Sequence, residues 1–264
     1  MIYTNIFAYI TKKYYLCALF GVNMTILSID TSTRVCSAAL SVDGITIASR
    51  INREDGNHAR QLPVFVDELL AEMRKSDLQP DAVALSEGPG SYTGLRIGAG
   101  IAKGLCYGLH IPLILIPTTE VLCAGAKSKI SNQKSQMLPL IDARRMEVYT
   151  ARYDADINPL TPIQAVVVED KSVFCQRSGL YSVSPQDGLV FFFGDGADKC
   201  RPILESDTWH FIPDIVPDAA NMGELAEKKF HAPATRRTEQ ELAYYEPFYL
   251  KEFVAAQSHV KGLH

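Results

Sequence analysis

The length, composition and charge of this 264-residue chain narrow the classes of protein that it can belong to. The length is enough for two packed lobes with a sizeable core, and 47% hydrophobic with 21% charged residues is typical of a globular protein. A net charge of −4 argues against broad electrostatic binding to nucleic acid or anionic membrane, although a local basic patch and RNA contact through an assembled complex stay open.

The cysteines and the first 23 residues bear on the cellular compartment. None of the six cysteines forms a C-x-x-C pair, and their scatter through apolar runs favours buried thiols over disulfides or a zinc site. Residues 1–23 carry two lysines before a short apolar run, as signal peptides do, but without a convincing cleavage pattern. We interpret them as an upstream start or a poorly ordered extension, and expect a cytoplasmic protein without a membrane span.

From Met24 onward, apolar patterns and turn signals predict a regular series of elements. The Asp43-Gly44 pair indicates a hairpin turn. The predicted elements are strands at 25–30, 35–42 and 45–51, a helix at 60–75, a strand at 81–86, a helix at 93–108 and a strand at 113–116. This order favours a mixed sheet with helices packed on it, and we assign residues 24–126 to a first lobe.

The second half of the chain repeats the opening pattern. After a polar linker at 127–136, a strand at 137–142 ends in Asp142 as strand 25–30 ends in Asp30, and a three-residue turn and a strand at 146–153 follow. We also predict strands at 165–168 and 189–193 and a helix at 221–230. The repeat predicts an α/β fold of two related lobes, each with a mixed sheet flanked by helices. The second, smaller lobe is then 127–230, and a tail at 231–264 packs on the lobes.

The segment 86–96, SEGPGSYTGLR, joins a predicted strand to a predicted helix. Its glycines permit tight turns, Thr93 is the predicted helix cap, and the first helical N–H groups could hold an anion. It matches neither the P-loop nor the G-x-G-x-x-G pattern, so a plain strand-to-helix connection is an equal alternative. The acidic turn at Asp30 could also hold an anion, and a plain Asx turn is the alternative there. The candidate anion site combines this turn with the glycine turns of both halves, and it comprises Asp30, Thr31, Ser32, Gly88, Gly90, Ser91, Gly194 and Gly196.

Glycines recur at four-residue intervals along the predicted helix 93–108, which is otherwise apolar almost all round. An interior glycine costs about 1 kcal/mol relative to alanine, and such a cost is tolerated where another backbone comes close. The helix at 60–75 carries a single apolar stripe, and the two helices could cover each other or bind a partner. The candidate partner surface comprises Leu62, Phe65, Val66, Leu69, Met73, Ile97, Gly100, Ile101, Gly104, Leu105 and Gly108.

The distribution of histidines argues against a catalytic metal or a nucleophile-and-base pair. The six histidines are far apart, and neither H-E-x-x-H nor G-x-S-x-G occurs. His58 stands alone before the first predicted helix, where a capping or solvated role is usual. We therefore expect no catalytic residue, no metal site and no cofactor.

Four segments together closely resemble the bacterial TsaB (YeaZ) family: ILSIDTST, NHARQLP, SEGPGSYTGLRIGAGIAKGL and LIDARRMEVYTARY. The resemblance is dense from Met24 to Tyr153. It implies an actin-like (ASKHA) fold and a heterodimer with TsaD through helices of the first lobe. It also implies recruitment of the ATPase TsaE, in an assembly that attaches a threonylcarbamoyl group to N6 of adenosine 37 in tRNAs reading ANN codons.

The same resemblance implies that the active site lies on TsaD, which carries a paired-histidine motif. The corresponding segment here, TTEVLCAGA, has no histidine, and the 23-residue extension also departs from the family pattern. We therefore favour a non-catalytic docking subunit, with tRNA bound only through the complex. The alternatives are an ATP-dependent transferase or small-molecule kinase using Asp30 and the two glycine turns, and a metallopeptidase, whose ligands we do not find. Self-dimerisation without a partner stays open.

Overall fold

The computed structural model describes residues 24–54, 57–130, 134–174, 188–232, 236–237 and 239–251. The predicted N-terminal extension, Cys17, Cys175 and the end of the predicted tail, residues 252–264, lie outside the described residues. So does part of the predicted linker, residues 131–133. None of the described helices is both long and apolar enough to cross a membrane.

The first sheet is formed mainly by the first half of the chain. Its successive elements are β1 Thr25–Asp30, β2 Cys36–Val42, β3 Ile45–Asn52, α1 His58–Lys75, β4 Ala82–Gly88, α2 Tyr92–Leu109 and β5 Leu113–Pro117. All six residues of β1 are buried, as expected for a central strand covered on both faces. Asp43 and Gly44 have φ angles of 47° and 72°, which confirms the predicted two-residue hairpin between β2 and β3.

The second sheet follows helix α3, Thr118–Ala126. Its strands are β6 Gln136–Asp142, β7 Glu147–Thr150, β8 Tyr153–Asp154, β9 Gln164–Val167, β10 Val190–Phe193 and β11 Trp209–Phe211, with helix α4 Ala197–Leu204 between the last two. Helix α5 Gly223–Phe230, strand β12 Arg236–Arg237 and helix α6 Glu239–Leu242 follow, and β12 joins the first sheet. Short 3-10 turns lie at Lys127–Lys129, Lys171–Phe174 and Ala219–Asn221. The strand predicted at 146–153 is two strands, β7 and β8.

The two sheets share one strand order. The first runs β12-β5-β4-β1-β2-β3 and the second β11-β10-β6-β7-β9, with β8 also pairing with β6. In both, the first strand is parallel to the strand after the helical connection and antiparallel to its hairpin partner. This equivalence confirms the predicted α/β fold of two related lobes.

Helices sandwich the first sheet. Alternation along β1 directs Leu27 and Ile29 towards α1 and α2, and Ile26 towards the opposite layer formed by α3 and α5. Helix α3 also packs on the second sheet through Leu122, so it lies between the two sheets.

Helix α5 brings the chain back to the first sheet. Its Leu225 and Ala226 pack with Ile26 and Ile114, although a strand of the second sheet precedes the helix in the chain. The boundaries of the lobes at residues 126 and 230 therefore stay predictions, since a helix of the predicted second lobe packs on the sheet of the first.

Helix α2 begins one residue before the predicted start, and its cap differs from the predicted one. The cap is Ser91, not Thr93: Ser91 has an extended ψ of 118°, and its Oγ accepts a hydrogen bond from the Gly94 N–H at 3.3 Å. An extended backbone directly before the first helical residue is what capping requires, and Thr93 is already inside the helix.

Candidate functional site

The acidic turn after β1 lies inside the protein. Asp30 is fully buried, and its Oδ1 accepts hydrogen bonds from the Ser32 N–H at 2.9 Å and the Ser32 Oγ at 2.8 Å. Its Oδ2 and the Ser28 Oγ are buried without a hydrogen-bond partner among the described residues. The Asx turn named as the alternative is therefore present, and the carboxylate is withdrawn from solvent.

Burial changes the acidity of Asp30. It raises the pKa of this carboxyl from 3.8 to about 6, an increase that the hydrogen bonds from Ser32 oppose and the nearby charge of Asp218 reinforces. A carboxyl with such a pKa is largely ionised at neutral pH, which makes its burial costly to the folded state.

We expect this ionisation to destabilise the fold as the pH rises. Between about pH 4 and pH 6 the unfolded chain has released the Asp30 proton and the folded chain retains it, so stability falls by about 3 kcal/mol across that window. Asp30→Asn, which is neutral throughout, should be more stable than the unsubstituted chain at pH 7.5 and should lose this pH dependence. Urea unfolding of both chains at several pH values measures it, and equal slopes against pH would contradict the assignment.

The glycines of segment 86–96 allow it to pack on the turn after β1. The Ser91 N–H donates to the Ser32 carbonyl oxygen at 2.6 Å, and Thr31 Oγ1 donates to the Gly94 carbonyl oxygen at 2.8 Å. A Cβ atom at Gly90 would lie 2.0 Å from the Ser32 carbonyl oxygen, and one at Gly94 would lie 2.1 Å from that of Thr31. Close backbone approach within the chain therefore accounts for these glycines.

The other three glycines of the predicted anion site also face backbone atoms of the chain. Gly194 and Gly196 would place a Cβ 2.4 Å from the Leu140 carbonyl oxygen and 3.0 Å from the Asp142 nitrogen, and Gly88 would place one 2.6 Å from the Phe248 carbonyl oxygen. The second lobe thus packs its glycine turn on the end of its first strand, β6, whereas glycines of the first lobe pack on the turn that follows β1.

A cleft of about 1070 Å³ separates the turns of the two lobes. Of the eight predicted anion-site residues, three line it, namely Ser32, Gly90 and Ser91. The other five are not among its lining residues, namely Asp30, Thr31, Gly88, Gly194 and Gly196. The side chains that the sequence analysis did not predict here come from both lobes and the tail: Arg34, His58, Asp142, Arg144, Asp195 and Lys251.

Ion pairs and hydrogen bonds occupy most charged groups inside this cleft. Lys199 pairs with Asp142, and Lys251 pairs with Glu147. Asp195 Oδ1 accepts a hydrogen bond from the Asp142 N–H at 3.0 Å, and burial raises the Asp195 pKa. Across the ranges that the structure describes, no three His, Cys, Asp or Glu side chains meet as metal ligands.

The predicted partner surface divides into buried and accessible residues. Four side chains of α1 are buried in the first lobe's own core, namely Leu62, Val66, Leu69 and Met73. Phe65, Ile97, Ile101 and Leu105 are partly buried at the edge of the same core. The three remaining residues, Gly100, Gly104 and Gly108, are exposed on α2.

Within the part of the chain that the structure describes, the exposed glycines of α2 have no neighbour that requires a glycine. A Cβ atom added at Gly100, Gly104 or Gly108 would meet no atom within 4 Å. On the same helix Tyr107 is 66% exposed, and on α1 Val64 is 52% exposed. The sequence analysis missed both apolar residues because each lies off the regular glycine or leucine spacing.

Two lobes of one strand order, facing each other across a cleft at the ends of their first strands, define an actin-like (ASKHA) α/β protein. A family model described as "TsaD: tRNA N6-adenosine threonylcarbamoyltransferase" matches residues 47–258. The chain belongs to the TsaB (YeaZ) family, as the following similarities show.

The TsaB protein of Bacillus subtilis is 33% identical over 208 residues, which cover 77% of this chain and 86% of that protein. The TsaB proteins of Escherichia coli and Haemophilus influenzae are 40% and 39% identical, over 57% and 52% of their own lengths, so the chain spans just over half of these two relatives. The solved structure of YeaZ from Pseudomonas aeruginosa covers 86% of this chain with a TM-score of 0.70 at 23% identity, which is a likeness of fold.

Proposed function

We propose that this chain is a non-catalytic docking subunit in the biosynthesis of tRNA threonylcarbamoyladenosine. The proposed role is to bind and activate a TsaD-like catalytic partner, which carries the active site of the threonylcarbamoyl transfer to adenosine 37 of ANN-decoding tRNAs. The family relationship supports the pathway, since relatives 33–40% identical carry the name "tRNA threonylcarbamoyladenosine biosynthesis protein TsaB".

The observation that carries the docking proposal is the open glycine row on α2. Each interior glycine destabilises a helix by about 1 kcal/mol relative to alanine, and no atom of the described residues approaches Gly100, Gly104 or Gly108 closely enough to compensate. Gly94 on the same helix is different, because the Thr31 carbonyl oxygen occupies the place of its Cβ. A row of exposed glycines one helical turn apart lets a partner helix approach the backbone closely.

The partner surface that we propose combines this row with the accessible apolar residues around it. These are Phe65 at the edge of α1, the partly buried Ile97, Ile101 and Leu105, and the exposed Tyr107. The buried residues Leu62, Val66, Leu69 and Met73 support the surface from beneath. We propose that the same surface forms a homodimer when the TsaD-like partner is absent.

The remaining parts of the proposal concern the cleft and the other partners. The burial of Asp30 supports a vestigial nucleotide or anion site, with no cofactor or metal of this chain's own. We propose that a TsaE-like ATPase joins the assembled heterodimer and that tRNA binds in the complex. Four free, buried cysteines, Cys36, Cys106, Cys123 and Cys200, support a cytoplasmic location.

Size-exclusion chromatography with light scattering tests this proposal. We expect the full chain, mixed with the TsaD-like protein of the same organism, to elute as a stable heterodimer, and threonylcarbamoylation of tRNA to require both proteins. No association, together with ATP turnover by this chain alone, would contradict the proposal in favour of an independent ATP-dependent transferase or kinase.

A further inference from the structure

Two consecutive arginines form the exposed turn between β6 and β7. Arg144 and Arg145 have φ angles of 72° and 49°, in the left-handed region that residues with a Cβ avoid. The shorter, two-residue hairpin between β2 and β3 has Asp43 and Gly44 at its left-handed positions, and both residue types suit that backbone. Retaining two arginines at such a turn points to a use for their side chains.

No salt bridge among the described residues neutralises the arginines at this turn, and the charge of Arg34 from the first lobe acts on the pKa of Asp195, lowering it against the larger effect of burial. Arg144 lines the cleft from the second lobe and Arg34 lines it from the first, where it follows the turn after β1. Among the described residues none of Arg34, Arg144 and Arg145 has a salt-bridge partner, and all three are exposed. The acidic neighbours Asp142 and Glu147 are each paired with a lysine. Two exposed guanidinium groups, those of Arg34 and Arg144, therefore line the cleft, and the exposed Arg145 follows Arg144 in the same turn.

Aromatic side chains flank the same mouth. The rings of Tyr92 and Tyr249 lie 4.7 Å apart, and the guanidinium of Arg96 lies 5.5 Å from the centre of the Tyr92 ring. Beyond them, Tyr244 is 88% exposed and lines a groove of about 740 Å³, whose other wall includes Lys103 and Gly100 of the proposed partner surface. Unpaired bases stack on such rings and on guanidinium planes, and guanidinium groups bind phosphate oxygens in pairs.

We propose that the mouth of the cleft and the exposed ring of Tyr244 beside it bind RNA. Arg34, Arg144 and Arg145 hold backbone phosphates, and Tyr244 receives an unpaired base. Only the identity of the RNA, a tRNA substrate of the complex, rests on the proposed function. The overall charge of −4 accords with a local site of this kind rather than general polyanion binding.

The test is a salt titration of tRNA binding by the full chain, alone and with its TsaD-like partner. Arg144→Asn combined with Arg145→Gly removes both charges and installs residues that the left-handed turn prefers, so its melting temperature should be unchanged or higher. We expect its affinity for tRNA to fall about tenfold and the slope of log affinity against log salt to shrink by about 1.4, or 0.7 for each lost phosphate contact.

A matched control removes two positive charges elsewhere. Lys228→Gln with Arg201→Gln breaks two exposed ion pairs, of 3.3 Å with Glu224 and 2.8 Å with Glu205, and should leave affinity and salt slope unchanged. In the isolated chain, where no partner lies on Gly100 in the same groove, Tyr244→Ala should lower the affinity without altering the slope, because stacking releases no counterions.

Unchanged affinity and slope in the double arginine variant would overturn the proposal, and so would an equal loss in the control pair. Loss of binding to the TsaE-like ATPase with tRNA binding intact would overturn it in favour of a protein surface. Heterodimer formation, measured in parallel by chromatography, separates this test from the docking proposal. If the chain does not pair with the TsaD-like protein, only the docking proposal is contradicted. The titration of the isolated chain with tRNA still tests the role of the arginines.

Discussion

Gly104→Trp is expected to prevent binding to the TsaD-like partner while the chain itself stays folded. The position of the missing side chain is open, so an indole there meets solvent in the isolated chain. In the complex it would occupy the space of the approaching partner helix, and we expect affinity to fall at least about a hundredfold, which corresponds to roughly 3 kcal/mol. Size-exclusion chromatography and calorimetric titration against the partner measure the loss, and circular dichroism monitors the fold.

Lys228→Trp is the matched control for this substitution. It places the same side chain on an exposed position of α5, away from the glycine row, and should bind the partner normally. Normal binding by Gly104→Trp would show that the partner does not use the glycine row, whatever the control does.

Two glycine-to-alanine substitutions on α2 are expected to change the free energy of unfolding in opposite directions. Gly94→Ala places a Cβ 2.1 Å from the Thr31 carbonyl oxygen, so helix and turn must separate, and we expect a loss of about 3 kcal/mol of unfolding free energy. Gly100→Ala meets no atom within 4 Å and should stabilise the isolated chain by about 1 kcal/mol, the usual helical preference for alanine. Urea unfolding of both variants at one pH measures the difference.

Gly100→Ala should at the same time weaken the complex, because its methyl group would stand where we propose that the partner backbone approaches. A stabilised chain that binds its partner less well is the outcome expected of a residue selected for docking. Two destabilised variants would instead show that Gly100 has a structural role in this chain.

The elements of the first lobe could be predicted because their patterns are local. Strand β1 and the Asp43-Gly44 hairpin depend on residues adjacent in the chain, and both are present as predicted. The cap of α2 was wrong by two residues since Ser91 and Thr93 carry equivalent hydroxyls, and only the extended backbone at Ser91 distinguishes them.

The candidate sites were less predictable because distant segments form them. The spacing of apolar residues showed that Leu62 and Val66 share a face of α1, but not that the first sheet covers that face. The acidic turn at Asp30 was recognised, but its burial and the nearby charge of Asp218, a residue of the second half of the chain, could not be read from a local pattern. The cleft joins turns of both lobes, a juxtaposition that no local pattern contains.

The duplicated strand order also allows the corresponding helices of the two lobes to be compared as sites of association. In the first lobe the helix between the parallel strands, α2, has 18 residues, and its counterpart α4 has 8 and contains no glycine. A chain with an equivalent interface-forming helix on each lobe could bind one neighbour through each lobe and assemble into a filament. Of these two helices only α2 carries the glycine row, so association through the docking surface that we propose should end at a closed pair.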